Sequence, residues 1–178
     1  MGKDYRHVVA DDLVLDVINH PAFQGFGRLI FPWDDKDYDA GLRMGEISRL
    51  LPYHRNINTN IILKSLNHMV DDIAAGATVF HNFYSEKERK NDPSKTNTGL
   101  FFYRGNPGTP FSVVCAGGGF HYVGSLHEGF PYALKIMENG YNAFVLKYRV
   151  GGNKIATEDL AAALSYIYKN ADGLKVGS

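Results

Sequence analysis

The residues best suited to chemistry are three consecutive glycines, Gly117-Gly118-Gly119, which follow the apolar run FSVVCA at 111–116. Three glycines in a row carry a high backbone entropy cost. They make sense where backbone N–H groups must face a ligand without a Cβ in the way. Three readings fit. The first is a tight strand-to-helix turn that binds nothing. The second is a phosphate cradle, but Tyr122 stands where a dinucleotide fingerprint needs its third glycine, and no Gly-Lys-Ser/Thr of a P-loop is present. The third is an oxyanion hole, in which two N–H groups stabilise the charge developing on an acyl carbonyl oxygen.

Other reactive types are scattered. The seven histidines are His7, His20, His54, His68, His81, His121 and His127, and no pair has the i, i+4 spacing of a helical zinc site with a glutamate beside it. No metal site is expected. His121 and His127 flank the exit of the glycine loop and are candidates to line a pocket there. His54 is a candidate for a loop near a substrate mouth, and His68 for a partly buried structural histidine. Cys115, the single cysteine, excludes an internal disulfide. Its place inside an apolar run predicts a buried, inert thiol. No serine sits in a G-x-S-x-G nucleophile elbow: Ser125 has Val123 and His127 at −2 and +2, and Ser165 has Ala163 and Ile167.

Composition bounds the function. The 178 residues carry 19 Lys+Arg against 19 Asp+Glu, so no net positive field points to nucleic acid or an anionic membrane. No apolar run reaches the roughly 18–20 residues of a bilayer span. The N-terminus, MGKDYRHVVADDLVLDVINH, lacks the apolar stretch of a signal peptide. A reducing, cytoplasmic setting is the default expectation.

The elements that must position the glycines can be read from periodicity. Residues 1–58 form an arm without sustained periodicity, whose apolar pieces predict packing onto another surface. Residues 59–75 predict a helix, with Ile62, Leu66, Met69, Val70 and Ile73 on one face, Asn58 or Thr59 as N-cap and Gly76 as stop. TVFHNFY (78–84) and GLFFY (99–103) predict an antiparallel hairpin with a long exposed loop that carries the charge run Glu86-Lys87-Glu88-Arg89-Lys90. FSVVCA and NAFVLKY (142–148) read as strands buried on both faces. A helix between them ends at Asn139-Gly140, with an ambiguous start: Ser125 and Glu128 match a capping box, while Pro131 prefers a first turn. Residues 157–170 predict a helix capped by Thr157, with Leu160, Ala163, Leu164, Ile167 and Tyr168 as the buried stripe, and Gly173 is placed as a helix-ending glycine. The order is an arm, a helix, a hairpin and then β-α-β-α, which is an α/β fold with a parallel portion.

Residues 111–150, with the triple glycine, the following helix and a strand ending in Tyr148-Arg149, resemble the esterase/lipase-like branch of the α/β-hydrolase superfamily. The resemblance extends over about residues 77–175 and implies a partial α/β-hydrolase fold over 59–178. It implies that Gly118 and Gly119 supply the oxyanion N–H groups and that Phe120 walls the acyl pocket, with His121, Ser125 and His127 as further substrate-side candidates. Ala116 stands where the family carries a loop-orienting histidine. The family's serine nucleophile, acid and histidine follow the next strand, so they would lie beyond Ser178. In that fold the strand FSVVCA sits between the fourth strand and the nucleophile strand. Its edge would be open here, and the C-terminal remainder of a hydrolase or an oligomeric partner would complete the sheet. The implied activity is hydrolysis of a small carboxylic ester, with no metal or organic cofactor and with this chain inactive alone. The competing expectation is a non-catalytic binding or interaction module, in which the arm itself covers the edge of FSVVCA.

Overall fold

The computed structural model describes residues 4–51 and 57–177. Its centre is an open four-stranded mixed sheet with helices on both faces, a mixed α/β architecture. The strands are β1 (Phe80–His81), β2 (Gly99–Tyr103), β3 (Phe111–Cys115) and β4 (Asn142–Lys147), in the order β1-β2-β4-β3. β2 is antiparallel to both neighbours, and β3 and β4 are parallel, with Val113 opposite Phe144.

Alternation along the strands sorts side chains into two cores. Phe101, Tyr103, Ala143 and Val145 face one side, with the arm, helix α2 (Thr59–Ala74) and helix α4 (Phe130–Glu138). Leu100, Phe102, Phe144 and Leu146 face the other, against Ala163 and Ile167 of helix α5 (Asn153–Lys169). α2 follows its periodicity: Ile62, Leu66, Met69 and Val70 are buried, and the Asn58 side chain accepts from the Ile61 N–H as N-cap. The arm has little regular structure, a short helix α1 (Val14–Ile18) and three 3-10 turns. Yet Val14, Phe23, Ile30, Phe31, Met44 and Ile47 are fully buried in the first core.

Several expectations are corrected. β3 is only half-buried and Cys115 is exposed, because β3 is the last strand of the sheet and among the described residues no further strand pairs with its outer edge. The long loop between β1 and β2 is not bare: residues 86–90 lie in a short helix α3 (Glu86–Asn91), capped reciprocally by Ser85 and Glu88, and a 3-10 turn follows at Pro93–Asn97. The helix after the glycines resolves its two start signals by using Pro131 and not the capping box. Ser125–Gly129 forms a single π turn that runs into α4 with Pro131 in its first turn. α5 begins four residues before Thr157, whose hydroxyl bonds back to the Asn153 carbonyl and caps nothing, and Tyr168 is exposed. Gly173 lies inside the short helix α6 (Ala171–Leu174), which ends at Lys175 in the left-handed conformation.

The outer edge of β3 is not covered by the arm: among the described residues, no arm group hydrogen-bonds to it. Instead the chain after α6 returns to its starting end. The Gly177 N–H donates to the Thr109 carbonyl at 2.8 Å, and Gly177 bridges Pro110 in the parallel sense.

Candidate functional site

The glycine loop sits at the carboxyl end of β3, beside the carboxyl end of β4, and its shape follows from how its backbone groups are held. The Gly117 N–H donates to the Glu128 carboxylate at 2.9 Å, and the Gly117 carbonyl accepts from the Gly124 N–H at 2.9 Å. The Gly118 carbonyl accepts from the N–H groups of His121 (3.0 Å) and Tyr122 (3.4 Å). Among the described residues no protein group accepts from the N–H of Gly118 or Gly119. Two adjacent glycine N–H groups are thus left over, next to a Gly117 that is held at both its N–H and its carbonyl.

Glycine is required at the second position. Gly118 has φ 149°, and a Cβ there would overlap the Tyr122 carbonyl. Gly119 has φ 59° and open space around it. Phe120 continues the left-handed run with φ 62°, a conformation that costs a bulky residue of order 1–3 kcal/mol. It is held by the Gly151 N–H, which donates to the Phe120 carbonyl at 2.9 Å, and its 40% exposed side chain packs edge-on to the Tyr148 ring.

The residues singled out in the sequence are brought together unequally. Gly118, Gly119 and Phe120 share the loop's outer surface, and His121 is exposed next to them. His127 is half-buried in the π turn. Ser125 is fully buried, and among the described residues its hydroxyl has no hydrogen-bond partner. His54 lies outside the described residues. His68 is half-buried, stacked on the Tyr103 ring and 3.6 Å from Asp72. Among the described residues no group of three His, Cys, Asp or Glu side chains could hold a metal ion, and no helix is long and apolar enough to cross a membrane.

The end of β4 carries groups that periodicity did not reveal. Tyr148 is buried, and its hydroxyl donates to the Ala116 carbonyl at 2.7 Å, tying the β4 end to the residue before the glycines. Burial raises its phenol above the ordinary value. Arg149 is 7% exposed and meets Asp159 of α5 twice, through Nε (3.0 Å) and an Nη (2.7 Å). The same carboxylate accepts from the Arg149 N–H (2.7 Å) and the Tyr84 hydroxyl (2.7 Å). Asp92 and Glu158 close the cage at 3.0 and 3.2 Å. The hydrogen bonds to Asp159 raise the Arg149 pKa, so it stays charged at any physiological pH. In the sequence Asp159 suited a helix N-terminus; its full burial depends on Arg149 arriving from β4, which no local signal encodes.

Lys147, the last residue of β4, is 0% exposed and points into the arm-side core. Its ammonium lies 2.9 Å from Asp34 Oδ1 and donates to the carbonyls of Phe31 (3.1 Å) and Pro32 (3.4 Å). Burial lowers its pKa, and Asp34 opposes that shift. The only sequence trace of this pair was a lysine ending an apolar strand and an acidic run in the arm.

No protein family, curated protein or solved structure matches this chain.

Proposed function

We propose that this chain supplies the oxyanion-stabilising part of a serine hydrolase acting on small carboxylic esters. The observation that carries the reading is the pair of N–H groups on Gly118 and Gly119 that no described protein group accepts from, on a half-buried and an exposed glycine after the end of β3. When a serine hydroxyl attacks an ester carbonyl, the carbonyl oxygen becomes an alkoxide. Two fixed donors at that oxygen stabilise the transition state more than the ground state, and removing one such donor typically costs about 100- to 1,000-fold in kcat.

The serine, the acid and the histidine come from polypeptide outside these 178 residues, since no serine here has the elbow pattern. Two features of the sheet support this division. β3 is the outermost strand, with its edge open where the resembled superfamily places the nucleophile strand. An isolated parallel bridge between Gly177 and Pro110 lies just before that edge. A long uncovered edge is an aggregation liability, so the C-terminal remainder of a hydrolase or a partner chain completes the sheet. The family's loop-orienting histidine is Ala116 here, and its task falls to Glu128, which holds the Gly117 N–H, and to Tyr148, which holds the Ala116 carbonyl. No cofactor enters the scheme.

The test compares the 178-residue chain with the assembled protein in p-nitrophenyl acetate hydrolysis. The chain alone is expected to show none, and the assembled protein to hydrolyse the ester and to lose about 100-fold or more in kcat with Gly118→Ala. Hydrolysis unaffected by Gly118→Ala would remove the loop from the mechanism.

A further inference from the structure

Among the described residues, the arm meets the exit of the glycine loop at residues 31–34. The Val123 N–H, at the loop's exit, donates to the Pro32 carbonyl at 3.3 Å. The Trp33 ring packs on the Tyr122 ring with centroids 4.9 Å apart. Tyr122 is also the residue whose carbonyl lies against Gly118 and forces glycine there. A continuous set of contacts therefore runs from the arm to the loop that carries the free N–H groups.

Lys147 holds three of these four residues. All three groups that meet its ammonium, the Phe31 and Pro32 carbonyls and the Asp34 carboxylate, belong to this stretch. Arg28 adds a hydrogen bond to the Asp34 carbonyl at 3.2 Å, and the Trp33 indole N–H donates to the Leu50 carbonyl at 3.1 Å. A buried Lys147–Asp34 pair is a poor choice for stability alone, because a pair of apolar side chains of similar volume avoids the cost of desolvating two charges. What the ion pair adds is direction: a methionine would fill the space without selecting one path for residues 31–34. The opposite face of β4 needs no such device, because Phe144 and Leu146 pack there against apolar neighbours.

We propose that Lys147 and Asp34 are positioning residues for the glycine loop. They act through Pro32 and Trp33 on Tyr122 and Val123, so that the arm is part of the loop's scaffold and not an appendage. What the loop is positioned for rests on the oxyanion reading above; the coupling itself does not.

Trp33 is the only tryptophan in the chain, which makes its emission a specific reporter of arm docking. The test measures acrylamide quenching of Trp33 and amide hydrogen exchange at Val123 in the 178-residue chain, in the parent and in Lys147→Met. The variant is expected to remain folded, with Phe144 and Val145 amides exchanging at the parent's rate. Trp33 quenching is expected to rise about twofold and Val123 exchange about tenfold, as local openings permit without global unfolding. Asp34→Asn, which removes the charge but leaves the lysine its two carbonyls, is expected to give a smaller change in the same direction, and it decides the matter if Lys147→Met fails to fold. Parent-like quenching and exchange in the folded variants overturn the coupling. The functional reading fails separately: if both reporters respond and the assembled protein hydrolyses no ester, the arm positions the loop for something else. If ester is hydrolysed and neither reporter responds, the arm is only packing.

Discussion

β3 and β4 run parallel, side by side, and their carboxyl ends are finished in opposite ways. β4 runs into Tyr148 and Arg149, whose side-chain polar groups all find partners: a buried guanidinium in a carboxylate cage and a phenol on a carbonyl. β3 runs into glycines of which the second and third have N–H groups left over among the described residues, followed by Phe120 in a backbone conformation that costs energy. The two ends are physically joined, since Tyr148 holds Ala116 and Gly151 holds Phe120. The difference shows a division of labour. The satisfied end is rigid so that the unsatisfied end can be held in a shape it would not adopt by itself. Strain of this kind persists only where the surroundings over-determine it.

The comparison can be broken most severely at the satisfied end. Asp159→Asn leaves the buried Arg149 without its principal counter-charge, and the expected loss is about 3–5 kcal/mol in urea unfolding. A loss below about 1 kcal/mol would mean that the cage is not holding the β4 end. At the unsatisfied end, Gly118→Ala must move the Tyr122 carbonyl, with an expected loss of about 1–3 kcal/mol by the same measurement. A neutral result would show that the loop is freely adaptable. The link between the ends is sharpened by Tyr148→Phe, which leaves the Ala116 carbonyl unpaired and should cost about 1–2 kcal/mol in thermal unfolding. Its effect should also fall on the glycine loop, as faster exchange at the Gly151 amide. The smallest effect belongs to an exposed charge that serves neither end. Glu86→Ala breaks the Glu86–Lys90 pair of α3 and should leave the urea midpoint unchanged. A shift comparable to that of Asp159→Asn would erase the contrast between buried and exposed ion pairs.

The sequence made the framework legible where local pattern and burial agree. α2 carried its stripe and its Asn58 cap, β4 read as a strand buried on both faces, and both are found so. It misled where burial depends on neighbours. FSVVCA looks like an interior strand because its composition suits one, yet as the outermost strand of this sheet it is half-exposed, and Cys115 with it. The Ser125/Glu128 box has the spacing of a cap, but Pro131 fixed the helix start and freed Glu128 to hold Gly117. The triple glycine was visible at once; that its first donor is engaged and the next two are not could not be, because the acceptor that takes the Gly117 N–H, the Glu128 carboxylate, is brought there by the fold. The long-range pairs, Lys147 with Asp34 and Arg149 with Asp159, bring together residues that carry no mutual signal in the chain.

The central claim is that Gly118 and Gly119 stabilise an oxyanion for a nucleophile that this chain does not contain. The most direct measurement is intact-mass and peptide-mapping analysis of the assembled protein after fluorophosphonate treatment, with the parent and Gly118→Ala side by side. The account predicts one adduct, on a serine outside residues 1–178, formed at least about 100-fold more slowly in the variant. An adduct on a serine within these residues, or labelling at the same rate in both proteins, would contradict it.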